Sequence, residues 1–192
     1  MSAIDAKLHT AETAPEGSKP LLENSVKGFG MIPNLHAVMA ESPAHLDAYQ
    51  TLHRLVVSKS GFDAAERTVV WMAINVEHGC HYCVPAHTTI AQMDKVDPSL
   101  VEALRTASPL ADTKLEALRQ FTLKVLRERG QVTAADVDAF KAAGYTDAHV
   151  LDVVLILAQK VMSNYVNHIY ATPIDAPFQK NAWNPADAGK AA

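Results

Sequence analysis

From Asp63 to His87 the chain reads Asp-Ala-Ala-Glu-Arg-Thr-Val-Val-Trp-Met-Ala-Ile-Asn-Val-Glu-His-Gly-Cys-His-Tyr-Cys-Val-Pro-Ala-His. Asp63 and Glu66 have the spacing of a helical capping box. Val69, Val70, Trp71, Met72, Ala73, Ile74 and Val76 then follow in near succession, so the helix they form is apolar all round and belongs at the centre of a fold. Gly79 ends it, and a second helix opens at or just after Cys80. A second apolar run, Val150, Leu151 and Val153 to Leu157, predicts another central helix over 147–170, covered on several sides. Start signals such as Ser42-Pro43, Asp97-Pro98, Thr113 and Thr133, with stops at Gly61, Gly130 and Gly144, divide the rest into amphipathic helices. The expected helices are 43–59, 63–78, 81–94, 98–106, 113–129, 133–142 and 147–170. Almost nothing alternates with a period of two, so the fold class is all-α: a compact multi-helix domain with two buried central helices. Residues 1–192 read as a single domain, with an N-terminal arm over 1–18 and a C-terminal arm over 171–192. Trp183 implies that the second arm docks.

Composition narrows the function. The chain has 192 residues, Lys+Arg 17 against Asp+Glu 21, and a net charge of -4. With no basic cluster, nucleic acid is not an expected partner. No apolar run reaches the length of a membrane span, since Asp152 and Lys160 bracket the greasiest stretch. Met1 to Asp5 show no secretory pattern. The expectation is a soluble, cytoplasmic protein.

Both cysteines lie in Cys80-His81-Tyr82-Cys83. On a helix, positions 80, 83 and 87 share one face, so two sulfurs and the His87 imidazole converge. Such a pair closes a disulfide with little backbone motion, and a helix start favours thiolate. Pro85 belongs in a first turn, which moves the regular helix start toward Cys83 and makes Cys83 the expected attacking thiolate, with Cys80 resolving. His87 is placed to take the Cys83 proton. Glu77, in the last turn of an apolar helix, is expected to have a raised pKa and to relay protons. Tyr82, between the thiols, is a further candidate. Glu66 reads as a cap rather than an acid catalyst. Three other readings of these residues stay open: a structural zinc module on Cys80, Cys83 and His87 with His78 or His168, a non-redox lyase or isomerase using Glu77 and His87, and a regulatory binder with an oxidisable switch.

The stretch Phe62 to Ala91, together with Gly30-Met31-Ile32-Pro33-Asn34-Leu35, Ser42-Pro43, Asn164-Tyr165-Val166-Asn167-His168 and Thr172-Pro173, resembles the alkylhydroperoxidase D-like (carboxymuconolactone decarboxylase) superfamily over about Gly28 to Phe178. The resemblance implies a helical fold with an internal repeat, a homo-oligomer, and reduction of hydroperoxide substrates at the expense of an external dithiol reductant, with no cofactor or metal. It assigns attack to Cys83, resolution to Cys80 and proton relay to His87 and a glutamate. In the best-known members that glutamate lies twelve positions before the first cysteine, where this chain has Thr68. Glu77, or less readily Glu66, would have to substitute. Tyr82 occupies a slot where other members carry histidine. Lactone decarboxylases of the family generally lack the cysteine pair.

Overall fold

A computed structural model describes residues 4–189; the outermost residues of both expected arms, 1–3 and 190–192, lie outside the described residues. Among the described residues there are nine α-helices and no strand. They are α1 (Lys19–Phe29), α2 (Asn34–Met39), α3 (Pro43–Lys59), α4 (Ala64–Glu77), α5 (Cys83–Met93), α6 (Pro98–Arg105), α7 (Thr113–Arg127), α8 (Ala134–Ala142) and α9 (Asp147–Tyr170). None is long and apolar enough to cross a membrane.

Local chemistry places most of the boundaries. Ser42, Asp63, Asp97, Asp112 and Thr133 each accept a hydrogen bond from a backbone N–H in the first turn that follows, satisfying donors that have no partner inside the helix. At α4 the box is reciprocal: Glu66 N–H donates to Asp63 at 2.9 Å, and Asp63 N–H donates to Glu66 at 3.1 Å. Glu66 also pairs with Lys114 at 2.8 Å, so its carboxylate is occupied by structure, as expected. Several helices close on a residue other than glycine in the left-handed region, namely Lys95, Ala107, Arg129 and Ala171.

Two apolar clusters form most of the interior, with a third, minor one at Ala91, Val96 and Val101. The larger centres on α4, where Val69, Val70, Trp71, Met72 and Ile74 pack against Leu118, Phe121 and Val125 of α7 and Val153 and Ile156 of α9. Phe121, Phe140 and Tyr145 stack in sequence at 4.1 and 4.4 Å between ring centroids, each ring contributing about 1.5–3 kcal/mol by leaving water. The smaller cluster gathers Leu22, Leu35, Met39, Leu46 and Tyr49 around Cys80, Tyr82 and Cys83.

Two features differ from the sequence expectation. The region before residue 43 contains α1 and α2, which pack on α3 and cover the cysteines. And α9 is covered along one side only: Leu151, Val154, Tyr165 and Ile169 face solvent, while Gln159, Lys160, Ser163, Asn164 and Asn167 are fully buried on the inner side. α4, by contrast, is enclosed along most of its length.

Both arms dock. His9 N–H donates to Ala37 C=O at 3.2 Å, and His9 Nε2 meets Glu41 at 2.6 Å. The C-terminal arm runs over α5: Trp183 is buried with Nε1–H donating to Arg105 C=O at 3.0 Å, and Arg105 donates to the carbonyls of Asn181 and Ala182.

The α4 cap predicts that Asp63→Ala destabilises the fold by about 1 kcal/mol, lowering Tm by roughly 2–4 °C in thermal unfolding. Glu66→Gln, which can still accept from the Asp63 N–H, retains most of that stability.

Candidate active site

The end of α4 aims the cysteines. Gly79 adopts a φ of 63°, which a residue with a Cβ takes up only at a cost. Its N–H donates to Val76 C=O at 2.9 Å, and Cys80 N–H reaches back to Asn75 C=O at 2.9 Å. This pair of bonds is a Schellman closure, and it turns the chain inward directly before the motif. Cys83 is the first residue of α5, so the helix start does lie nearer Cys83, and Pro85 sits in the first turn where its missing N–H costs nothing. Cys83 N–H donates to Cys80 Sγ at 3.4 Å. Both residues are free thiols and almost fully buried.

The inner side of α9 completes the surroundings. Asn167 Nδ2 donates to Cys83 Sγ at 3.2 Å and lies 3.8 Å from Cys80 Sγ. Lys160, with no exposed surface, places Nζ 2.8 Å from His87 Nε2. Burial by itself would push the Cys83 thiol up. Hydrogen bonding from Cys80, the positive charge of Lys160, and the nearby polar side chains of Ser163 and Asn164 outweigh it and bring Cys83 down to about 5. Cys80 moves the other way, raised by burial and by its hydrogen bond and proximity to Cys83. Within the pair, one sulfur therefore carries the negative charge and the other stays protonated.

His87 plays a different electrostatic part from the imidazolium expected. Burial, then the charges of Lys160 and His53, hold its pKa well below the usual histidine value. The ring is neutral, packed 4.8 Å from Trp71, and accepts from Lys160 rather than from Cys83. Burial likewise lowers His36 to about 3 and His53 to about 4. The cation that acts on both sulfurs is Lys160.

Cys83, His87 and Lys160 lie on the wall of a cavity of about 660 Å³ between α1, α3 and α5. Leu21, Phe29, Leu35, Tyr49, Ile90 and Phe178 give it an apolar body, and Asn24, Asp47 and Arg54, all exposed, stand at its open side. The cavity has the volume and apolar character of a small-molecule site.

The candidates from the sequence do not all meet here. Cys80, Cys83 and His87 are brought together. Tyr82 lies beside the cavity, but its hydroxyl donates to Asp175 and accepts from Leu35 N–H at 3.3 Å. Burial and the Asp175 charge raise its pKa, and Asp175 in turn accepts from Asn34 N–H at 3.0 Å. The phenol thus ties the C-terminal arm to α2. Glu77 is a correction. Its carboxylate forms a two-pronged pair with Arg127 of α7, both contacts at 2.7 Å, and makes no hydrogen bond to either sulfur or to His87. Hydrogen bonding from Arg127 lowers its pKa, the reverse of the raised value expected at a helix C-terminus, because the guanidinium outweighs the helix dipole. A Glu77–His87 acid–base pair is therefore not assembled. His78 bonds Asn164 at 2.9 Å and His81 bonds Thr172 C=O at 3.0 Å. Among the described residues, no three His, Cys, Asp or Glu side chains converge as a metal site.

The residues that the motif did not reveal are Lys160, Ser163, Asn164 and Asn167. Their signal was present: polar side chains at 159, 160, 163, 164 and 167 repeat with helical period inside an otherwise apolar helix.

With this geometry in hand, the comparisons with known proteins are direct. Residues 43–123, from the start of α3 into α7, match the model of the carboxymuconolactone decarboxylase family. No curated protein matches the chain by sequence. Among solved structures, an uncharacterized peroxidase-related protein from Ralstonia eutropha JMP134, described as an alkylhydroperoxidase AhpD core, superposes with a TM-score of 0.79 at 22% identity, over 89% of this chain and 92% of that one. A peroxidase-related protein from Silicibacter sp. TM1040 gives 0.76 at 23% identity, over 92% and 93%. A cysteine-to-alanine variant of the debrominase Bmp8 in complex with 2,3,4-tribromopyrrole gives 0.76 at 16% identity, over 94% and 96%. At these identities the likeness to the solved structures is one of fold. Residues 43–123 are thus similar to the carboxymuconolactone decarboxylase family, and the chain as a whole shares its fold with the AhpD core.

Proposed function

We propose that this protein is a thiol peroxidase that reduces organic hydroperoxides through Cys83 and Cys80. The observation that carries the reading is a buried sulfur, Cys83, on the wall of an apolar cavity, accepting from Asn167 Nδ2 and next to Cys80, with the charge of Lys160 drawing its pKa down. A low thiol pKa keeps the nucleophile populated at neutral pH, and the cavity gives an alkyl or aryl group somewhere to bind. Cys83 attacks the distal peroxide oxygen; the S–O bond forms as the O–O bond breaks, leaving Cys83 sulfenic acid and an alcohol. The Cys80 thiol then displaces water from the sulfenic acid to form the Cys80–Cys83 disulfide, and an external dithiol restores both thiols. The cycle runs in the cytoplasm, where dithiol reductants are supplied, and the solvent-facing apolar residues of α9, Leu151, Val154, Tyr165 and Ile169, suit a homo-oligomer. In this reading Tyr82 serves by holding the C-terminal arm against the cavity, and Glu77 takes no part.

Consumption of cumene hydroperoxide with dithiothreitol tests the reading. Cys83→Ser is expected to abolish turnover, and Cys80→Ser to accumulate a Cys83 sulfenic acid that dimedone traps. Wild-type turnover in both variants would end the proposal.

The second test is pH. Because the Cys83 pKa is depressed, thiolate is present above about pH 5 and is lost as the pH falls through that value. In the wild-type protein, where the raised Cys80 stays a thiol, the ultraviolet absorbance of the thiolate and the rate of iodoacetamide alkylation at Cys83 should both rise through a midpoint near pH 5 and level off before neutrality. Lys160→Met should raise that midpoint by roughly one unit or more. A wild-type midpoint near the ordinary thiol value contradicts the assignment.

A further inference from the structure

The peroxide step leaves one proton unaccounted for. An alkoxide expelled into an apolar cavity is a poor leaving group until it is protonated, and the glutamate expected to supply that proton is bound to Arg127 instead. Two observations point to another source. Lys160 Nζ lies 2.8 Å from His87 Nε2. An ammonium only donates, so Nε2 is the acceptor, and a neutral imidazole accepting at Nε2 carries its own hydrogen on Nδ1. That Nδ1 is buried and has no hydrogen-bond partner among the described residues, although His87 lines the cavity and is only 6% exposed. A buried donor left unpartnered costs stability, and such an orphan on a cavity wall marks a place where a ligand oxygen belongs.

We infer that Lys160 is a positioning residue that delivers a proton through His87, Nδ1 of which donates to the oxygen expelled from the hydroperoxide. The inference rests on the peroxidase reading above. The balance closes within the site. When Cys83 ionises, its proton resides on Lys160, giving a thiolate–ammonium pair. Two electrons pass from the Cys83 sulfur to the O–O bond. As that bond breaks, His87 Nδ1–H goes to the departing alkoxide and Lys160 Nζ–H moves to Nε2. The products are an alcohol, Cys83 sulfenic acid, the other imidazole tautomer and a neutral Lys160 amine. The Cys80 thiol then condenses with the sulfenic acid, its proton leaving in water. Reduction by the external dithiol brings back two protons: one stays on the Cys80 thiol, and the other enters at His87 Nδ1 as the Nε2 hydrogen returns to Lys160, which restores the starting tautomer and the ammonium. Burial of Lys160 lowers its pKa, which eases release of the proton.

The experiment compares two oxidants that differ in their need for that proton: cumene hydroperoxide, which expels an alkoxide, and catalase-treated peracetic acid, which expels acetate and needs none. Single-turnover oxidation of Cys83 is followed in Cys80→Ser protein at neutral pH, with and without Lys160→Met. The ratio of the two rates cancels any change in thiolate population. The ratio of cumene hydroperoxide to peracetic acid should fall roughly 100-fold in the Lys160→Met protein, within the usual contribution of a positioned general acid. Should that variant not fold, protein with native Lys160 suffices: the cumene hydroperoxide reaction should slow in D2O relative to the peracetic acid reaction. An unchanged ratio, or equal isotope effects for both oxidants, overturns the relay and leaves the peroxidase reading standing. Failure of both oxidants to react with native Lys160 protein removes that reading and the relay with it.

Discussion

A lysine with no exposed surface, bonded to an imidazole and near enough to two sulfurs for its charge to act on them, is the constraint around which this molecule is arranged. Carrying an ammonium out of water costs several kcal/mol unless its surroundings compensate. At Lys160 they do so in two ways: His87 accepts a hydrogen bond, and Cys83 supplies the opposite charge. The same balance read from the sulfur's side is what makes Cys83 acidic despite its burial. Lysine and cysteine each make the other's charge tolerable, so the polar interior and the reactivity are one feature.

The rest of the fold serves that arrangement. α4 is enclosed by apolar side chains and therefore rigid, and its Schellman closure at Gly79 delivers Cys80 and Cys83 at a fixed angle. α9 runs alongside, presenting Lys160, Ser163, Asn164 and Asn167 to them on successive turns. α1 and α2 close the outer side and leave a cavity in front of Cys83. The C-terminal arm is fastened by Tyr82 through Asp175 and by Arg105 through the carbonyls of Asn181 and Ala182. Phe178 on that arm reaches the cavity wall, so the arm contributes to the shape of the site as well as to stability.

Glu77 and Lys160 show where reading the chain succeeds and where it stops. The fold class, seven helices and the capping box at Asp63 follow from local signals: apolar periodicity, side-chain oxygens one turn ahead of a helix, and glycine where φ must be positive. α1 and α2 were not legible because neither has a side-chain cap at its start and α2 is only six residues long. Glu77 was misread for a physical reason. Its helix dipole was visible in the sequence, but the guanidinium fifty positions further on was not, and a two-pronged contact with Arg127 outweighs a dipole's fraction of a charge.

By itself, the sequence determined an all-helical chain with one apolar helix leading into a cysteine pair and a histidine on a common face, because those features depend on residues within a few turns of one another. Only the tertiary structure decided which charges surround that face. It removed Glu77 to a partner on α7, turned Tyr82 into a tether for the C-terminal arm, and brought Lys160 from a helix more than seventy positions away to 2.8 Å from His87. Electrostatics in a buried site is set by distances through space and by exclusion of water, and neither is written in the spacing of residues along a chain.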